Sequence, residues 1–237
     1  MAEDRTKVQI KDATMLEVVS GLLPLYGAGW NWAMMSAIER PSIGKLLFYN
    51  EVYKRILDVP GVICEFGVHW GGTAAALINL HSSYEPHNLS RGYYGFDTFD
   101  GFPAVDPKDG KFGAAGDFRV PEHYGEVLAR ILWLHHSRNF YLHQGDASET
   151  VPAWMAEHPE AIISLAVLDF DIYKPTRDVL EAIKPRLVKG SVLVFDELNH
   201  IHWPGETVAV QEVLGLNNLR LHRFPFHTFG SFAVFGE

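Results

Sequence analysis

The stretch Gly61-Val62-Ile63-Cys64-Glu65-Phe66-Gly67-Val68-His69-Trp70-Gly71-Gly72-Thr73 decides how the rest of the chain is read. Its first half is an apolar run of strand length, and Thr73 to Leu80 reads as the opening of a helix. Glycines between them let the backbone turn sharply and let a ligand approach the chain. The helix that follows offers unpaired amide groups at its N-terminus. A dinucleotide fingerprint would space its glycines G-x-G-x-x-G. Here they fall at Gly67, Gly71 and Gly72, and Glu65 stands two residues before the first. An acid beside the turn disfavours pyrophosphate and suits a cationic or amino-bearing ligand. A generic glycine turn of an α/β protein fits the same residues.

Downstream, apolar runs and amphipathic segments alternate. Strands are expected at Gly92 to Asp97, Phe140 to Gln144, Ala161 to Leu168 and Ser191 to Phe195, then at Leu219 to Arg223 and Ser231 to Phe235. Helices are expected at Pro121 to His136, Ser148 to His158, Thr176 to Leu187 and Val208 to Leu214. Alternation of this kind means a parallel sheet wrapped by helices. The last two strands have no room for a helix between them and should pair antiparallel. The expected fold is therefore a doubly wound, mostly parallel, seven-stranded α/β sheet of the Rossmann-like type, closed by an antiparallel C-terminal hairpin.

Upstream, residues 1–58 read as a helical extension to a main domain at 59–237. One apolar face holds Met15, Leu16, Val18, Val19, Leu22 and Leu23, and a second helix starts near Pro41-Ser42. Gly27 to Trp32 reads as a turn that packs these helices on the main body. The extension could instead cover an active site or pack against a second subunit in a homo-oligomer.

The chain has 237 residues, 47% hydrophobic and 21% charged, with a net charge of -9 from 20 basic and 29 acidic side chains. That balance argues against nucleic acid as a partner, which needs clustered Lys and Arg. No apolar stretch approaches the ~20 residues that cross a bilayer, so no membrane role is expected. The single cysteine, Cys64, cannot form an internal disulfide, which suits a cytoplasmic protein, and its apolar surroundings point to core packing.

Ligands of such folds sit at the carboxyl ends of the strands. The second strand ends in Asp97, which could accept the hydroxyls of a ribose or cap a turn. The third ends at Gln144-Gly145-Asp146-Ala147-Ser148, where Asp146 could accept an adenine amino group or cap the next helix. The fourth ends in Asp169-Phe170-Asp171 and the fifth in Asp196-Glu197. Four carboxylates at two adjacent strand ends would repel one another. A divalent, oxygen-loving cation such as Mg²⁺ would relieve that repulsion. Pairing with Lys174, Arg177 or Lys189 is the simpler alternative.

The ordered set resembles the macrocin O-methyltransferase family. It runs acid-x-Gly-x-x-x-Gly, Gly95-Phe96-Asp97-Thr98-Phe99-Asp100-Gly101-Phe102-Pro103, Gly145-Asp146-Ala147, Asp169-Phe170-Asp171-Ile172-Tyr173, then Asp196-Glu197, and spans roughly residues 41–237. The resemblance implies a metal-dependent enzyme that methylates hydroxyls of a sugar or sugar-bearing natural product from S-adenosylmethionine. It places Glu65, Gly67, Gly71 and Thr73 at the cofactor, Asp97 and Thr98 at its ribose, and Asp146 with Ala147 at its adenine. It makes Asp169, Asp196 and Glu197 metal ligands and Asp169 or Asp171 the base. The family usually carries Asp at the position of Glu197, which here is one methylene longer.

The partner implied is a small hydroxylated acceptor. The long segment from Thr98 to Val120 is expected to be a lid over it, with His200, His202 and Trp203 on the same pocket. A nicotinamide oxidoreductase on this scaffold is disfavoured by the glycine spacing. A methyltransferase-like binding protein without catalysis is disfavoured by the intact acids.

Overall fold

In the computed structural model the residues described are 14–135 and 139–237. They divide into two compact units, one ending at Gly44 and one starting at Lys45. The boundary expected from the sequence lies after residue 58. The difference lies in Phe48, Tyr49, Val52, Tyr53 and Ile56, all buried in the main unit's core. That makes the second half of helix α3 (Arg40–Arg55) part of the main body.

The first unit holds helix α1 (Met15–Leu22), three 3-10 turns and the short helix α2 (Trp30–Ala33). Thr14 caps α1, and Glu17 reaches back to the Thr14 backbone as a capping box. The stretch expected to be a simple turn is a 3-10 turn, Gly27–Gly29, leading into α2, with Trp30 and Trp32 exposed.

The main unit is one seven-stranded sheet in the order β3-β2-β1-β4-β5-β7-β6. Its strands are β1 (Val62–Phe66), β2 (Tyr93–Asp97), β3 (Phe140–Gln144), β4 (Ile163–Leu168), β5 (Leu187–Phe195), β6 (Leu221–Arg223) and β7 (Ser231–Val234). The first five run parallel, whereas β7 is antiparallel to both β5 and β6. The expected closing hairpin is present, with β7 inserted beside β5.

Helices α4 (Gly72–Tyr84), α5 (Tyr124–Leu134), α6 (Ala147–Glu157), α7 (Tyr173–Ile183) and α8 (Pro204–Val213) complete the unit. Side chains alternate across the central strands. Ile63, Leu165, Val167, Val192 and Val194 meet α3, α4 and α5 on one face. Cys64, Phe66, Ala166, Leu168, Leu193 and Phe195 meet α6, α7 and α8 on the other. Cys64 is therefore a core residue.

Two element boundaries moved for a local reason. Pro185 lacks an amide donor and ends α7 at Ile183, leaving a 3-10 turn before β5 begins at Leu187. Pro204 occupies the first turn of α8 and starts it four residues earlier than expected. Of the helix expected at Pro121 to His136, Tyr124–Leu134 is helical, and His136 lies outside the described residues. No described helix is long and apolar enough to cross a membrane.

The end of the sheet opposite the acids is tied together by Arg91, which is 3% exposed. Its guanidinium donates to the carbonyls of Ile56, Val59 and Gly61 and to Ser164 Oγ, and its Nε lies 2.6 Å from Glu85 Oε2. Tyr53 donates to the same carboxylate oxygen at 2.8 Å. Replacing Arg91 by Met strands that carboxylate and those acceptors. Urea unfolding of Arg91→Met should therefore show a loss of about 3–5 kcal/mol.

Candidate active site

Strand order reverses between β1 and β4, so the loops leaving these two strands part and open a crevice. Gly67 is the hinge of that opening. With φ at +93°, a Cβ there would lie 1.9 Å from the carbonyl oxygen of Asp169, so only glycine fits. The crevice holds a cavity of about 290 Å³. Among the expected site residues, Gly67, Asp97, Thr98, Asp146, Asp169, Asp171, Asp196 and Glu197 line it. Glu65, Gly71, Thr73 and Ala147 do not.

The reason for Glu65 is explicit. It points into the core, 1% exposed, and accepts a 2.6 Å hydrogen bond from the Tyr93 hydroxyl. Burial, with Asp169 and Asp97 nearby, pushes its carboxyl well above the ordinary range. Gly71, left-handed at φ +76°, serves as the N-cap of α4, while Thr73 and Ala147 are buried in the first turns of α4 and α6.

Asp97 joins the loops that leave β1 and β2. Its Oδ2 accepts the amides of Val68 and His69, both at 2.7 Å, and its Oδ1 accepts Phe99 N at 2.6 Å. A carboxylate has about four acceptor positions, so one remains for a ligand. Asp146 caps α6 through Ser148 N at 2.9 Å and also faces the cavity. For both residues the capping role and the lining role coexist.

The opposite wall is a carboxylate cluster. Burial first, then Asp196 and Asp171, raise Asp169 to about 7. Asp171 rises to about 7 through burial and the charges of Glu197 and Asp196, and Glu197 to about 7 through burial, Asp196 and Asp169. Burial also acts on Asp196, but His227 and Lys45 hold it below its ordinary value. The Lys45 ammonium lies 3.4 Å from Asp169 Oδ2 and 3.7 Å from Asp196 Oδ1. Glu197 turns to His200, 3.4 Å away. Lys174 and Arg177 pair with Asp178 instead of the cluster.

The three expected metal ligands thus share a wall without closing into a cage. No group of three or more such side chains among the described residues stands ready to hold a metal ion. Their chemistry nevertheless suits a hard cation, since the donors are all carboxylate oxygens. Asp196 Oδ1 and Glu197 Oε2 are also buried without a hydrogen-bond partner.

Sequence reasoning missed several residues. Lys45 precedes β1 on a helix and belongs to no motif. Glu206 is fully buried on α8, where its Oε1 accepts Glu197 N at 3.1 Å. Burial and the nearby Asp196 raise its carboxyl well above the ordinary range. His69 lines the cavity too, as do Phe102, Pro103 and Phe118 of the segment expected over the acceptor, beside the anticipated Trp203. His202 packs instead against Phe112. Positive φ marks His69, Phe118 and Asp171, all in the lining. Such backbone outliers concentrate at functional sites.

The segment expected to be a lid is anchored. Asp109, 2% exposed, accepts Tyr173 N at 2.5 Å through Oδ1 and Asp106 N at 2.7 Å through Oδ2. Gly205 makes room for it, since a Cβ there would meet Asp109 Oδ1 at 2.1 Å.

A sequence profile of macrocin-O-methyltransferase (TylF) matches residues 48–220, most of the chain. The chain belongs to the macrocin O-methyltransferase family. Two solved structures of CalS11 superpose closely. One, a calicheamicin methyltransferase, is 37% identical with a TM-score of 0.88 over 94% of this chain and 92% of that one. The other, the apo TDP-rhamnose 3'-O-methyltransferase, is 35% identical with a TM-score of 0.81 over 94% of both chains. A tetracenomycin-C 4'-O-methyltransferase from Streptomyces olivaceus is 26% identical over 59% of this chain and 53% of its own length. Demethyldecarbamoylnovobiocin O-methyltransferase from Streptomyces niveus is 31% identical over the same shares, 59% and 53%. The chain spans about half the length of these curated relatives.

The raised acids of this family member give its stability a pH dependence of definite sign. A carboxyl whose folded pKa is raised contributes stability that is complete below its unfolded value near ~4. That contribution is lost as pH climbs through the folded value. For Asp171 and Glu197 that folded value is about 7. Calorimetry in chelator should show a falling melting temperature from about pH 5 to about pH 8. Asp171→Asn, which cannot ionise, should fall less; an equal or steeper fall would contradict this origin.

Proposed function

We propose that the chain is an O-methyltransferase that passes the methyl group of S-adenosylmethionine to a hydroxyl of a small, sugar-bearing acceptor. The observation that carries the reading is one cavity with two acidic walls at the switch point of the sheet, Asp97 and Asp146 facing Asp169, Asp171, Asp196 and Glu197. The names of the relatives, which act on rhamnose-bearing and other natural products, support the acceptor class.

The nucleoside half of the donor suits the wall of Asp97, Thr98 and Asp146, where a carboxylate oxygen can accept ribose hydroxyls. The sulfonium carries a positive charge, and an acidic cavity favours it over the neutral thioether product. Phe102, Phe118 and Trp203 form the apolar side of the cavity and leave room for a sugar ring.

Asp171 is the assigned base. It lines the cavity beside the acids that would hold the cation, and its burial strengthens the carboxylate as a proton acceptor. It takes the hydroxyl proton, the acceptor oxygen forms a bond to the methyl carbon, and the carbon–sulfur bond breaks toward sulfur. The products are a methyl ether and neutral S-adenosylhomocysteine. Holding oxygen, carbon and sulfur in line supplies much of the acceleration.

Asp169, Asp196 and Glu197 would hold a divalent cation such as Mg²⁺. Its contribution when bound is to lower the pKa of the acceptor hydroxyl.

Calorimetry with S-adenosylmethionine should detect binding, and Asp97→Ala should weaken it by about tenfold or more, the value of a charge-assisted hydrogen bond. Asp171→Asn should cut kcat by roughly 10²–10⁴ while leaving cofactor affinity intact. No binding at millimolar cofactor would sink the reading.

A further inference from the structure

Lys45 is the only lysine or arginine among the described residues lining the cavity, against six carboxylates in the same lining. Its ammonium donates one long hydrogen bond, to Asp169, and reaches Asp196 through an ion pair alone. At 3.4 Å from Asp169 Oδ2 and 3.7 Å from Asp196 Oδ1, both separations exceed the roughly 2.7–2.9 Å of a tight charge-assisted hydrogen bond. Asp196 Oδ1 is buried and accepts no hydrogen bond. The lysine side chain is 36% exposed, so a path to solvent stays open to it.

This is the arrangement of a cation shared between two acids and held firmly by neither. The same two acids belong to the set assigned above to a divalent cation. A Mg²⁺ ion draws its oxygen ligands to about 2.0–2.1 Å and cannot share the gap between them with an ammonium. Like charges at that separation in a partly buried site repel strongly.

We propose that Lys45 is an internal stand-in for the divalent cation, neutralising Asp169 and Asp196 in the cation-free protein and giving way when the cation enters. The proposal rests on the metal reading of the preceding section. Two consequences follow. The lysine keeps two buried acids compatible with the fold before the cation arrives. It also weakens the site for the cation, because binding must displace a positive charge already in place.

The test is direct titration of MgCl₂ into the chelator-stripped protein, by calorimetry, with neither donor nor acceptor present. Lys45→Met and Lys45→Gln, which remove the charge, should each bind Mg²⁺ about tenfold more tightly than the unaltered protein. Lys45→Arg keeps the charge and should stay within about threefold of it. Weaker or unchanged binding by both neutral variants would overturn the proposal, because the lysine would then organise the carboxylates and not compete for them. Absence of binding in every protein up to tens of millimolar would overturn the metal reading itself, and this proposal with it. A second readout needs no substitution. Pulsed acetylation with mass spectrometry should find Lys45 more reactive in MgCl₂ than in chelator, and equal reactivity in a protein that binds Mg²⁺ would count against displacement.

Discussion

The backbone of Gly67 passes so close to the carbonyl of Asp169 that a single methyl group would not fit between them. Nearly everything about the site follows from that approach. It lets β1 and β4 pair along their lengths and then part immediately at their ends. The loop that follows β1 and the acids that follow β4 therefore begin at adjoining residues. A bulkier turn would separate the two halves by the width of a side chain. In the proposed reaction a methyl group could not then lie between a donor on one wall and an acceptor on the other.

The constraint brings an electrostatic cost. Asp169, Asp171, Asp196, Glu197 and Glu206 crowd the ends of two neighbouring strands, and burial together with their mutual charge raises four of the five. Asp196 alone is held low, by its closeness to Lys45 and His227. A protein selected for stability alone would place apolar side chains here. Retaining the acids makes sense where a cationic ligand supplies the missing charge.

Much of this was legible in the sequence because strand ends are marked by composition. The apolar runs ending in Asp97, Gln144, Asp169 and Asp196 gave the strands, and their alternation with helices gave a parallel sheet closed by a hairpin. What escaped had physical reasons. Glu65 carries the motif spacing of a ligand-binding acid, yet its side chain falls on the core side of β1, and only the register with β2 shows that Tyr93 can reach it. Lys45 comes from a helix distant in sequence and Glu206 from the helix that follows β5, and both meet the acids through packing alone. Asp97 and Asp146 were each read as ligand or cap, and the structure gives both capping bonds to residues that also face the cavity.

The anchoring of Asp109 on the first amide of α7 has a consequence for how such an enzyme can change. The segment that borders the cavity and the helix that follows Asp171 are joined by one buried carboxylate. Lengthening or reshaping that segment to admit a new sugar would pull on Tyr173 and, two residues away, on the strained backbone of Asp171. The lining of the cavity and the backbone of the proposed base are thus mechanically geared. Variation that broadens one without blunting the other should concentrate where the segment is free of that tie, around Phe112 and Phe118, and spare Asp106 to Gly110.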